Sequence, residues 1–338
     1  MVAHGGHRGR LGKRSQLVSA GPHSGLCPLA TGLGLGKIAG MSSLIESVAV
    51  ASPTNRTAAV HVYVLSGALA VVGAVTTSLT FLVPDLLVGP PVTNGNARGT
   101  ALVMLVLAIP TLLGSMWLTA RGSWRAIMFW LGSLIYLAYN TFLLLFLTPF
   151  NSLFLLNTTT QSLAIFSIFA LMCAVDRRWL VDQIGDLPAR GLAVFVWTIV
   201  TLNALAWLQV VVPAMFAADP TSFLDGLGVA TNAIYIQDFV VWLPLMATAA
   251  WWMWRHRPAG VLLTGSWLLF GVIESIGIAV DQWFGHRADP SSPHASETVI
   301  PFMILLAVIN AIGAYFYLRA RQPRKLPPSR SMWRSHGT

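Results

Sequence analysis

Polar and charged positions interrupt this chain at fairly regular intervals, and between the interruptions lie eight apolar stretches of about 20 residues. At 1.5 Å per residue, a helix of that length crosses the roughly 30 Å hydrocarbon core of a bilayer. Inside lipid the backbone polar groups must be bonded within the segment, so each stretch is predicted to be a helix. The pattern places the spans at 57–83, 100–120, 126–148, 153–174, 191–217, 233–254, 259–280 and 298–318. The expected fold is all-α, a polytopic transmembrane bundle over residues 57–318. It is flanked by a disordered basic tail at 1–56 and a second basic tail at 319–338.

The loops alternate in charge. Arg121 and Arg125 follow the second span, Arg177, Arg178 and Arg190 the fourth, Arg255 and Arg257 the sixth, and Arg319 to Arg334 the eighth. The opposite loops hold only Arg98 and Arg287, together with Asp85, Asp219, Asp225, Asp281, Asp289 and Glu297. Positive loops stay in the cytoplasm, so both termini are expected inside. Trp124, Trp179, Trp252, Trp254 and Trp283 fall near expected interfaces, where amphipathic rings settle.

A shift of 134 residues lays span one on five, two on six and three on seven without a gap. It pairs Asp85 with Asp219, Pro110 with Pro244, Trp117 with Trp251, and Arg121 with Arg255. Apolar segments also match by chance. A true duplication would be a parallel four-plus-four arrangement, with a longer offset for spans four and eight.

Composition agrees: 55% hydrophobic residues, 10% charged and a mean hydropathy of +0.67 leave too little polar surface to coat a soluble body of 338 residues. The net charge of +9 does not indicate nucleic acid, because 12 of the 21 Lys and Arg lie before Ala58 or after Leu318, in tails beside the membrane. The expected surroundings are lipids. Cys27 and Cys173 are too few and too far apart to indicate a disulfide framework or a metal cluster. The basic N-terminal tail has the composition of a transit peptide, yet Arg outnumbers Lys 18 to 3, as a GC-rich bacterial gene would encode. A bacterial inner membrane is favoured, with Met41 as an alternative start.

Two acids fall inside expected spans, Asp238 in the sixth and Glu274 in the seventh. Such residues are costly in lipid unless they are paired, neutral or facing water. Both lie about five or six residues from the outer end of their helices, at similar depth. In the 134-residue register Glu274 aligns with Asn140, and Asn157, Gln161, Asn203, Gln209 and Gln237 occupy outer or central depths. Together they outline a polar pocket open to the outside. The plainer alternative is that the amides only hydrogen-bond helices together. No Lys or Arg stands in the expected spans to neutralise Glu274, which suits a group that takes up and releases protons.

Other chemistry is thin. His61 is the only histidine in an expected span and has no partner for haem ligation. No span carries a lysine for a retinal Schiff base. Asp281, His286, His294 and Glu297 have no zinc-site spacing, so no metal or cofactor is assigned. Thr76, Thr77, Ser78 and Thr80 are expected to bond to the preceding turn, and Pro110 and Pro244 to kink their helices. Nucleotide-binding loops and nucleophile elbows are missing from the sequence.

The leading expectation is a proton-linked carrier or permease for an unidentified small molecule, with Glu274 as proton site, Asp238 as its outer partner and the amides as substrate contacts. Eight spans are few for a carrier, which makes a homodimer reasonable. Two alternatives stay open. One is an intramembrane enzyme acting on a lipid or isoprenoid by general acid catalysis, in a cavity rich in Trp207, Trp242 and Trp267; the other is a non-catalytic scaffold or sensor.

Overall fold

The computed structural model describes residues 56–319, apart from Gly185; the expected tails lie outside the described residues. Within them the chain is helical with no strand. The helices are α1 (Arg56–Leu82), α2 (Pro91–Ala120), α3 (Trp124–Phe146), α4 (Phe154–Ala174), α5 (Arg177–Ile184), α6 (Ala189–Met215), α7 (Ala233–Trp254), α8 (Pro258–Ala288) and α9 (Val299–Leu318). All but α5 are long and apolar enough to cross a membrane, as an integral multi-pass membrane protein requires. The short α5 tucks Leu180 and Ile184 into the core beneath its exposed arginines.

The centre of the bundle is the pair α3 and α8. Of the apolar stretch of each, 72% is buried inside the protein, against 17% for α6, whose side chains mostly point outward. Polar side chains tie neighbours to this centre. The Trp130 indole donates to Ser66 Oγ (3.0 Å), joining α3 to α1, and the Tyr317 hydroxyl donates to the Val261 carbonyl (2.6 Å), joining α9 to α8. Such interhelical bonds contribute about 1 kcal/mol each. Thr76, Thr77 and Thr80 bond to carbonyls one turn back, as expected, and Thr76 also meets Thr160 of α4 at 3.1 Å.

Both proline-bearing helices contain a widened turn. In α2 the turn spans Met104–Ala108, with the Ile109 N–H donating to the Met104 carbonyl; in α7 it spans Asp238–Trp242, with the Leu243 N–H donating to the Asp238 carbonyl. Pro110 and Pro244 follow directly. A proline ring crowds the carbonyl four residues before it and offers it no N–H, and a π-turn relieves that crowding. The two turns stand 134 residues apart. So do two cation–π pairs at the arginine-rich end, Arg121 over Trp117 (3.6 Å) and Arg255 over Trp251 (4.5 Å).

Two spans are longer than the hydrophobic pattern indicates. The second begins at Pro91 rather than 100, which brings Arg98 into α2, and the seventh runs to Ala288 rather than 280, which brings Asp281, His286 and Arg287 into α8. Arg98 and His286 are therefore within long helices, contrary to the reading of Arg98 as a loop residue and of His61 as the only in-span histidine. Polarity is tolerated because the two extensions cover one another. Gly95 and Gly99 let α2 lie directly on the α8 backbone: a Cβ on Gly99 would sit 2.5 Å from Asp281 Cα. Small residues four apart are the usual means of so close an approach. At 31 residues, α8 is about 46 Å long, so its extension reaches beyond a 30 Å hydrocarbon layer.

At this end the connecting loops close over the helices. Thr93 Oγ1 donates to the Leu227 carbonyl (3.0 Å), His294 Nε2 meets the Asp225 carbonyl (2.6 Å), and Gly228, at φ 71°, lies against Pro90.

Gly99→Ala is expected to lower the thermal unfolding temperature in detergent, through overpacking worth about 1–3 kcal/mol. Gly114→Ala, where nothing lies within 4 Å of the added carbon, should leave it unchanged or raise it slightly.

Candidate functional site

Residues seven apart lie on one helix face, so Glu274 and Asp281 project from the same side of α8, separated by about 10 Å along its axis. Asn140, on the facing helix α3, donates from Nδ2 to Glu274 Oε2 at 2.8 Å and to the Tyr136 carbonyl at 3.2 Å. The two residues bonded here are the pair that the 134-residue register aligns.

Asp238 begins the widened turn of α7 and is buried, 4% exposed. Its carboxylate accepts from the Trp207 indole of α6 at 2.7 Å, and the Tyr139 hydroxyl of α3 faces it. Asp238 and Asp281 both lie close enough to Glu274 for their charges to interact with it. The three carboxyls therefore form one line across α7 and α8. The hydrogen-bond partners found for them are amides, indole and phenol: Asn140, Gln282, Trp207 and Tyr139. Lysine does not occur among the described residues, and Arg98 turns away, donating to the Phe81 carbonyl (3.2 Å) and lying 5.6 Å from its ring.

Beside the line sits an aromatic cluster. Tyr139 and Trp242 are 5.8 Å apart, Trp242 and Trp267 5.5 Å, Trp267 and Phe270 5.1 Å, and Phe270 and Tyr139 5.6 Å, measured between ring centroids. The Tyr136 hydroxyl, the Gln237 amide nitrogen and the Trp267 indole nitrogen are buried there without a protein partner.

Asp281 opens onto a cavity of about 390 Å³ at the end opposite the arginines. Thr93, Asn96 and Thr100 of α2, Leu143 and Thr148 at the end of α3, and Tyr235 of α7 contribute to its wall. This volume suits a small ligand. The Tyr235 ring lies 5.1 Å from Trp207, so one wall of the cavity touches the indole that holds Asp238.

The structure thus joins Glu274 to Asn140 and places Asp238 and Gln237 nearby, where Gln237 Oε1 accepts from the Trp242 indole at 3.1 Å. It does not bring the other amides there. Asn157 and Gln161 belong to α4, which packs on α1, and each has a buried side-chain oxygen without a partner. Asn203 is half-buried on α6, and Gln209 is exposed on the same helix. None of the eight residues singled out from the sequence lines the cavity. Asp281 was missed because it was assigned to a loop; its spacing of seven from Glu274 is the signal that marks both as one face. Asp281, His286, His294 and Glu297 do not converge on a metal-binding group among the described residues.

No protein-family model matches the chain, and neither a curated protein nor a solved structure is significantly similar to it.

Removing the donor to Glu274 should strand a carboxyl between the two innermost helices. Asn140→Leu is expected to lower stability to denaturant in mixed micelles by about 1–3 kcal/mol, whereas Glu274→Gln, which keeps an acceptor, costs less. The double variant Asn140→Leu, Glu274→Leu should recover most of the loss, and additive effects would show that the bond carries no coupling.

Proposed function

We propose that the protein is a proton-linked carrier of a small molecule in the cell membrane, with Glu274 as its proton site. The observation that carries this reading is the line Asp281, Glu274, Asp238, in which Glu274 interacts with an acid on either side inside an apolar bundle and no guanidinium or ammonium among the described residues is bonded to the three. Acids in such a setting mark proton routes, because each can accept a proton from its neighbour and pass it on. In this reading Asp281 exchanges protons with the cavity, Glu274 relays them at the bundle centre, and Asp238, near the cavity end of α7, is the outer partner of Glu274. The hydroxyls of Tyr136 and Tyr139 lie within electrostatic range of these acids.

The excess of arginine in the loops at 121–125, 175–190 and 255–257 supports a cytoplasmic position for that end and for both termini. The cavity then opens outward. A single cysteine at Ser291, in a background without the native cysteines, should react with a membrane-impermeant maleimide on whole cells, and one at Ser123 should not; the reverse labelling would invert the topology.

A second reading, general acid catalysis on an apolar lipid or isoprenoid, is favoured by one observation, the four rings of Tyr139, Trp242, Trp267 and Phe270 packed beside Asp238. Proteoliposomes with a trapped pH-sensitive dye separate the two. A carrier moves protons when a transported solute is added, and Glu274→Gln should slow that movement by about tenfold or more. Proton movement in the variant equal to wild type would remove Glu274 from the route, and solute consumption without proton movement would favour the enzyme.

A further inference from the structure

We infer that the cavity beside Asp281 is a binding site for a small amphiphilic organic cation, an ammonium group carried on an apolar or aromatic body. The inference rests on the carrier reading for its consequence, since it names the solute, but the cavity's chemistry supports it independently.

Among the side chains that line the cavity, Asp281 is the one acid, and neither Lys nor Arg is among them. Asp281 supplies a carboxylate whose partner in the protein is the adjoining Gln282, through its backbone N–H and through a long side-chain bond of 3.3 Å. Asn96 contributes to the same wall, with its Oδ1 turned against Gly285 of α8. An N–H⁺ donor would bond to the Asp281 carboxylate, whereas an anion would be repelled by it. The potential cation within the wall is His294, and its Nε2–H is already given to the Asp225 carbonyl at 2.6 Å.

The rest of the wall suits the body of such a ligand. Phe223 and Tyr235 stack with centroids 6.3 Å apart, and Leu143, Leu147 and Ile234 add aliphatic surface. Aromatic faces attract a cation as well as apolar groups. The approach is acidic too: Asp219 and Asp289, in the loops at this end, are held below the ordinary carboxylate range by the hydroxyls of Thr221 and Ser291, and so remain charged. Because Asp281 is also the outermost acid of the line, a bound cation and a proton would compete for one carboxylate. That competition is the simplest form of exchange coupling.

The test is calorimetric binding to the full-length protein in nanodiscs of neutral lipid, without a proton gradient. The probes are 2-phenylethylammonium, its uncharged counterpart 2-phenylethanol, and phenylacetate. Saturable binding of the ammonium alone is expected, weakened by about tenfold or more in Asp281→Asn. Tyr235→Leu, which leaves the charge in place, should weaken it by about threefold and guards against a folding defect in the first variant. Equal binding of the ammonium and the alcohol, preference for phenylacetate, or unchanged affinity in a folded Asp281→Asn would each overturn the inference. Since no gradient is applied, these outcomes are independent of whether Glu274 carries protons.

Discussion

Placing a carboxyl group between the two most enclosed helices of an apolar bundle is possible only if something there bonds to it, and in this protein that something is the amide of Asn140. The bond to Glu274 joins α3 and α8, which Gly132 and Gly277 bring into close contact, at the depth where both are buried. It also fixes which face of α8 looks toward α3. Once that face is fixed, the seven-residue spacing directs Asp281 to the same side, and α2 must lie across the end of α8 through Gly95 and Gly99. The cavity is the space left where this crossing parts from α3 and α7. An amide is well suited to such a post, since it donates to a carboxylate without adding a charge of its own.

Much of this was legible in the sequence, because lipid imposes a length and an apolarity on every span. The span at 233–254 coincides with α7 to the residue, and most others agree within two or three positions. The failures have one cause. Hydrophobic patterning measures exposure to lipid, and the extensions 91–99 and 281–288 face each other instead. Their polarity therefore looked like loop. Asp238 and Glu274 stood out because an acid in an apolar run is conspicuous, whereas Asp281 was hidden by the same boundary error. The amides were less informative: Asn157, Gln161 and Gln209 have the residue type of a pocket wall, but type alone does not say which face of a helix a side chain occupies.

The widened turns deepen the resemblance between the two halves. A π-turn before a proline is a local solution to a local crowding, yet here it recurs at one offset, together with a matched Arg and Trp pair at the same end of each helix. The halves nonetheless differ in chemistry. Asp238 opens the turn in α7 where Met104 opens it in α2, so the acid is carried by one copy of the feature only.

That difference bears on the bond at the centre. In a symmetric dimer, a residue on the two-fold axis confronts its own copy, so an acid there meets a second acid and an amide meets a second amide. Two carboxylates face to face repel, and two amides have no proton to trade. Two different positions of one chain are free of that restriction, because each can mutate separately. Asn140 opposite Glu274 is such an unlike pairing, and it gives the molecule a single polar axis with one acidic side rather than two equivalent ones.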